Sequence, residues 1–307
     1  MRFHLNRKLA RLGSCLPAPV LRALLRQALG RRCVALLLHR VQAARPADPV
    51  PELSVSEQDL DEALEFLLGA FPGRAERWLT VTFDDGYDDA ARYVESRAGR
   101  FPAADFILFV CPEKAAAGAG FRWDLAELTR EAGEPSERAQ EILRAPLDAA
   151  TENAREDLHA VGLDPRFRVA SVEKLRALAA RPNVFVGGHT NCHVALSELG
   201  PEQARQELER SQAAFERLFG PQRHFAFPYG QGCFDGTHVR FLRELGGAVL
   251  WSTLQRCYSP AEVVPGAVLP RVVIDDPWSW DGIVGVVVGR SLVGRLLGAR
   301  PAALPSS

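Results

Sequence analysis

Seven short runs of apolar and β-branched residues, each bounded by turn formers, constrain this chain most: Val34–Leu38, Trp78–Phe83, Ala104–Val110, Asn183–Gly187, His224–Phe227, Gly247–Ser252 and Val268–Ile274. Their continuous hydrophobicity fits strands buried on both faces. Helical patterns lie between several of them, at Ser56–Gly69, Asp88–Gly99, Ser171–Ala180 and Pro201–Phe219. Strand alternating with helix predicts an α/β fold with a mostly parallel sheet. Residues 111–168 interrupt the alternation with charged, alanine-rich sequence of helical character, which reads as an insertion on one connection that could border a substrate cleft.

Composition narrows the class. Of the 307 residues 47% are apolar and 24% charged, enough to bury a sizeable core and unlike a disordered chain. The net charge of −1 conceals a split: residues 1–47 hold ten Arg or Lys and no acid, the stretch after Asp281 holds Arg290, Arg295 and Arg300 and no acid, and the middle carries −14. Phosphate binding needs a basic surface, so the acidic body argues against nucleic acid as a partner. The six cysteines form no CxxC pair, which suggests neither a zinc ribbon nor a disulfide framework and fits reduced thiols in a cytoplasmic setting. The basic N-terminus has no clean apolar region of the signal-peptide kind, because Arg22 and Arg26 break its apolar stretches.

Three segments carry chemistry. In LTVTFDDGYDDA, residues 79–90, a strand runs into Asp84 and Asp85 and then Gly86, which brings two carboxylates to a strand's C-terminal edge, where α/β folds place active sites. The other reading is an acidic turn that caps the next helix. In NVFVGGHTNCHVALSEL, residues 183–199, a second strand pattern ends in Gly187-Gly188 and is followed by His189 and His193, close enough to face one point. Two imidazoles and one carboxylate form a hard-to-borderline ligand set for a metal, and two solvent-facing histidines are the alternative. HFAFPYGQG, residues 224–232, is a third strand ending in a Pro-Tyr-Gly turn.

In this order the segments TFDDGY, HTNCH and FPYG resemble the polysaccharide deacetylase family, also called the NodB-homology or carbohydrate esterase family 4 domain. The resemblance spans roughly residues 32–283 and implies a distorted (β/α) barrel of seven strands, with a basic amphipathic extension over 1–31 and a basic tail over 284–307. It implies that Asp84 is the general base and that Asp85, His189 and His193 hold a divalent metal, usually zinc, with Co2+, Ni2+ or Mn2+ as alternatives. It also implies that Tyr229 offers its backbone N–H to an oxyanion.

This sequence departs from the family pattern twice. The arginine that usually precedes the PYG turn and contacts the base is Ala226 here, and Arg271, a lone charge amid apolar residues at the end of the last strand run, is the candidate substitute. A surface salt bridge would also account for it. The C-terminal LxH motif is missing, while Leu37-Leu38-His39 ends the first strand run, as in circularly permuted members of the family, which makes His39 the candidate general acid. A strand-end histidine satisfied by a neighbouring carbonyl is the alternative.

Trp123, Trp278 and Trp280 could form sugar-stacking platforms or an apolar slot for the acetyl methyl, or serve as core lids, and Cys192 reads as a small buried side chain. The resemblance implies a bacterial-type hydrolase that removes an N-acetyl group from an amino sugar of a glycan or glycan precursor. O-deacetylation and a carbohydrate-binding barrel without turnover are the competing readings. Val20, Leu21, Leu24, Leu25, Ala28 and Leu29 form an apolar stripe beside Arg22 and Arg26, and the C-terminal VGRSLVGRLLGAR is similar. Both ends could rest on the anionic inner face of a membrane or pack on the barrel.

Overall fold

A computed structural model of the chain describes residues 2–43, 53–145, 155–274 and 279–296. Its strands are β1 (Val34–Leu38), β2 (Arg40–Gln42), β3 (Ser54–Ser56), β4 (Leu79–Phe83), β5 (Ala104–Val110), β6 (Val184–Gly188), β7 (His224–Ala226), β8 (Val249–Ser252), β9 (Val268–Pro270) and β10 (Val272–Val273). Eight of them form one parallel sheet in the order β10-β1-β4-β5-β6-β7-β8-β9. β1 and β4 are buried along their whole length, as their unbroken apolar sequence requires of strands covered on both faces.

The seventh run is the one that differs from the sequence reading. Val268–Ile274 is two short strands rather than one, so the sheet has eight strands instead of seven. β9 pairs with β8, and β10 pairs with β1. Pro270 has no N–H to give a ladder, and the chain changes neighbours at Arg271. One kinked segment thereby joins both edges of the sheet and closes the barrel. The two-stranded sheet of β2 and β3 escapes sequence detection, because three-residue polar strands such as Ser54–Ser56 have no readable period.

The helices largely follow their sequence signals. Glu57–Gly69 is capped by Ser56, whose Oγ accepts from the Asp59 N–H at 3.1 Å. Pro201–Phe219 has the predicted bounds, with Pro201 in the first turn and Gly220 after the last. The described residues of the segment 111–168 form the helices Pro112–Ala117, Arg122–Glu131, Ser136–Arg144 and Glu156–Leu163, with no strand among them.

The described parts of both basic ends are helical and lie against the barrel. In the helix Ala18–Leu29 the stripe residues Leu21, Leu25, Ala28 and Leu29 are buried, Leu24 is half-buried against the same core, and Val20 faces outward. The stripe is thus largely consumed by packing. The helix Trp280–Leu296 buries Ile283, Val284, Val286 and Val287 and meets the helix Arg2–Cys15 at a glycine crossing. Asn6 links the two ends to the barrel: its Nδ2 donates to the Val273 carbonyl at 3.2 Å and its Oδ1 accepts from Arg290 Nε at 2.7 Å. Among the described residues no helix is long and apolar enough to cross a membrane, and residues 297–307 of the C-terminal stretch lie outside them.

A Cβ on Gly13 would sit 2.3 Å from the Asp281 carbonyl and 2.7 Å from the Gly285 Cα. Gly13→Ala is therefore expected to lower stability by about 1–3 kcal/mol in thermal or urea denaturation, the usual cost of overpacking. Gly99→Ala, where nothing lies within 4 Å, should be close to neutral in the same assay.

Candidate metal centre and carboxylate pair

The parallel register brings the strand ends to a common rim. Leu38 pairs with Phe83, so His39 and Asp84 leave adjacent strands side by side, and Asp84 N–H donates to the Leu38 carbonyl at 2.9 Å. Val110 pairs with Gly188 and Gly188 with Phe225, which sets His189 beside Ala226. Beyond the rim the chain is held in an uncommon conformation. The four non-glycine residues with positive φ among the described residues are Asp85 (71°), Thr190 (55°), His193 (63°) and Tyr229 (56°). Such backbone persists only where the surroundings impose it, and its clustering in three loops at one rim makes that rim the candidate functional site. Gly86 is needed at its turn, since its φ is 74° and a Cβ would lie 2.7 Å from Val110 Cγ1.

Asp85, His189 and His193 are buried, and one potential ligand atom from each lies within 4.8 Å of the others. His193 Nε2 and His189 Nε2 approach Asp85 Oδ1 at 3.1 and 3.6 Å. His189 Nε2 is beyond hydrogen-bond distance, and Asp85 Oδ1 and His193 Nδ1 have no hydrogen-bond partner among the described residues. A buried carboxylate oxygen without a donor is costly, and the three groups converge on a common point rather than on one another. His189 Nδ1 lies 2.8 Å from the Ala226 carbonyl, which selects the Nδ1–H tautomer and leaves the Nε2 lone pair facing the centre. Burial pushes the His189 pKa down to about 4, so the ring is neutral at neutral pH, as a ligand must be. Burial alone would raise the Asp85 pKa, but the neighbouring His193 and His189 hold the carboxyl below its usual range. One carboxylate and two imidazoles fit a borderline divalent cation such as zinc.

Asp84 is arranged differently. Arg271 Nη1 reaches its Oδ1 at 2.5 Å and Nη2 its Oδ2 at 2.9 Å, a bidentate pair in which both side chains are buried. Arg271 also donates to Thr82 Oγ1 at 3.1 Å and lies over the Phe109 ring at 5.2 Å. Burial works to raise the Asp84 pKa, and Arg271 and then His189 outweigh it, holding the group below its ordinary value. Ala226, where the missing motif arginine would stand, is buried in β7 and gives its carbonyl to His189. The guanidinium arrives instead from the kink between β9 and β10.

His39 is half-buried beside Asp84, and its Nδ1 has no partner among the described residues. Tyr229 is 58% exposed, with its ring edge-on to His193 at 4.6 Å. No acceptor for its backbone N–H is found among the described residues. The turn is fixed by Thr253, whose Oγ1 accepts from Gln231 N–H at 2.9 Å and leaves no room for a Cβ at Gly230.

Trp123 reaches the site from the insertion. Its ring lies edge-on to His193 at 4.8 Å and stacks on Phe121 at 4.5 Å, and its Nε1 donates to the Tyr87 hydroxyl at 2.7 Å. That hydroxyl bonds both oxygens of buried Asp124, at 3.1 and 2.9 Å. Burial pushes the Asp124 carboxyl up to about 8, which spares the site another negative charge at neutral pH. Phe121, Tyr87, Asp124 and Thr82 are site-building residues that sequence reasoning missed, although Tyr87 stands inside TFDDGY. Trp280 does not join the group: its ring packs on Phe66 at 5.2 Å and its backbone N–H donates to Asp59, so it serves the helical layer. Trp278 lies outside the described residues. Cys192 is buried among Val194, Leu196 and Leu208, and all six cysteines are free thiols.

Residues 159–250 match the model of the polysaccharide deacetylase family, a span that includes His189, His193 and Tyr229. Among solved structures the chain is similar to a polysaccharide deacetylase from Bacillus cereus, at 14% identity over 83% of this chain and 68% of that one, with a TM-score of 0.53. It is similar to the deacetylase PplD of Streptococcus pyogenes, solved in complex with acetate, at 13% identity over 83% and 98% of the two chains and a TM-score of 0.53. IcaB from Ammonifex degensii shares 20% identity over 86% of this chain and 98% of its own, with a TM-score of 0.51. At these identities the likeness is one of fold. Comparison with curated proteins gives no match.

The Arg271–Asp84 pair makes stability depend on pH in a defined direction. Because the folded Asp84 pKa is lowered, its contribution is present above the unfolded value of about 3.9 and is lost as pH falls through the folded one. In Arg271→Ala the largest opposing charge is gone and burial, the largest cause, raises that pKa instead, so the variant loses stability as pH rises. Metal-free Arg271→Ala is expected to be about 3–5 kcal/mol less stable than the parent at pH 8 and to recover part of the deficit at pH 5. Urea denaturation at the two pH values checks this; an equal deficit at both would contradict it.

Proposed function

We propose that this chain, which carries a polysaccharide deacetylase domain on the barrel common to such enzymes, hydrolyses the N-acetyl group of an amino-sugar residue with a divalent metal, zinc being the best fit. The observation that carries the reading is the juxtaposition of two unlike acidic groups at one rim: Asp85 converging with His189 and His193, and Asp84 clamped by Arg271.

When bound by Asp85, His189 and His193, a divalent ion supplies Lewis-acid polarisation of the acyl carbonyl and lowers the pKa of the attacking water. Asp84 takes the proton of that water as the new C–O bond forms. Arg271 keeps Asp84 ionised and aims its oxygens; it also makes Asp84 a weak base, which is tolerable because the water is itself acidified. The backbone N–H of Tyr229 donates to the oxyanion of the tetrahedral intermediate. His39 protonates the departing nitrogen as the C–N bond breaks, so that acetate and a free amine are the products. Trp123 and Phe121 form an apolar wall beside His193 that excludes water and suits a methyl group. In this reading the proton donor comes from β1, the first barrel strand, which is the arrangement of a permuted order.

An amide nitrogen leaves only when protonated, whereas an alkoxide is less demanding, so His39 discriminates N- from O-deacetylation. The test is zinc content of the purified protein together with acetate release from N-acetylated chitooligosaccharides and an O-acetylated glycan. Asp84→Asn should retain the metal and lose about 10²–10⁴-fold in kcat. His39→Ala should retain the metal, lose a comparable factor on the N-acetyl substrate and lose less on the O-acetyl one. Absence of both metal and acetate release would point to a carbohydrate-binding barrel instead.

A further inference from the structure

The segment from His189 to His193 must hold two imidazoles on one point while Thr190 and His193 both sit at positive φ. Its own contacts secure only its ends: Cys111 Sγ donates to the His189 carbonyl at 3.1 Å, and Val194 N–H donates to Thr190 Oγ1 at 3.2 Å. The middle is held from outside. Glu207, in the second turn of the helix Pro201–Phe219, is buried, and its Oε1 accepts from the Asn191 N–H at 2.7 Å. The backbone N–H of Cys192 bonds the same carboxyl, and the Cys192 thiol lies 3.9 Å from Oε1. Two consecutive buried amides between the metal-binding histidines therefore share one carboxylate.

An acid in this place is costly. Its Oε2 has no hydrogen-bond partner among the described residues, and Arg210, whose charge favours the ionised form from three positions along the helix, makes its ion pair with Glu113. An apolar side chain of the same size would pack in the helix face but would leave both loop amides without an acceptor. Packing alone does not account for a carboxylate here, whereas the geometry of the loop does.

We propose that Glu207 is a positioning residue of the metal centre: by tying the Asn191 and Cys192 amides to the helix Pro201–Phe219, it sets the separation and direction of His189 and His193. The proposal rests on the metal reading above. It acts through the loop backbone and touches neither metal nor substrate.

The experiment measures zinc affinity of the full chain by competition with a chromophoric chelator, and in parallel the melting temperature of the metal-free protein. Glu207→Ala is expected to bind zinc about 10–100-fold more weakly, the usual effect of losing a group that orients a metal ligand. Glu207→Asp, which retracts the carboxylate by one methylene and serves if the alanine variant does not fold, should show a loss in the same direction. Glu207→Gln, whose carbonyl accepts the same N–H, should stay within about threefold of the parent. Ser211→Ala, one turn further on the same buried face, should change the melting temperature without changing zinc affinity. Unchanged affinity in both Glu207→Ala and Glu207→Asp would overturn the positioning role, as would a loss in Ser211→Ala equal to theirs. A parent protein that binds no zinc would overturn the metal reading itself.

Discussion

The buried ion pair between Arg271 and Asp84 joins two requirements of this fold, closure of the sheet and the charge balance at its rim. Arg271 stands at the kink where one segment leaves β8 and joins β1, so the residue that completes the sheet also completes the charge balance of the site. Neither partner is viable alone. An unpaired guanidinium inside the barrel and an unpaired carboxylate at its rim would each carry a desolvation cost of several kcal/mol, which their bidentate contact offsets, with the Thr82 hydroxyl and the Phe109 ring adding to it on the Arg271 side. Barrel closure and ionisation of Asp84 therefore depend on the same contact.

Around that contact, two adjacent aspartates acquire different chemistry from their surroundings. Asp84 ends a regular strand and meets a permanent cation. Asp85, one residue later and in left-handed backbone, turns toward two buried imidazoles, of which His189 is kept neutral by its burial. The backbone strain at Asp85, Thr190, His193 and Tyr229 is the local cost of aiming four groups inward from three loops. Hydrogen bonds from outside those loops offset it: Ala226 to His189, Glu207 to the Asn191 and Cys192 amides, and Thr253 to the turn after Tyr229.

The helical insertion and the two chain ends give the barrel its particular character. The insertion supplies Trp123 and Phe121 as a wall over His193, locked by the Tyr87–Asp124 hydrogen bonds. The basic ends meet at the Gly13–Gly285 crossing and bury the stripe of Leu21, Leu25 and Leu29, so the apolar surface there belongs largely to the protein interior. The charge split that sets those ends apart in the sequence coincides with a helical layer on one side of the barrel.

Much of this was legible from residue order alone. β1, β5 and the helix Pro201–Phe219 have the bounds that their apolar runs and terminal prolines and glycines dictate, because those signals are local. Asp84, Asp85 and His189 were legible for the same reason, standing directly after strands, and His193 follows four residues after His189. Arg271 could be suspected only as a charge among apolar residues. That it meets Asp84, 187 positions away, follows from ring closure of the sheet, which brings the last strand against the first. Glu207 and Asp124 could not be singled out, since in sequence they resemble the exposed acids around them, such as Glu209 and Glu131. Trp123 and Trp280 read alike, yet one faces His193 and the other packs on Phe66. The sequence determined which strands, helices and reactive groups exist, because these depend on near neighbours. Tertiary structure alone decided which charges are buried together and which amides need an acceptor, because burial and pairing are set by segments distant along the chain.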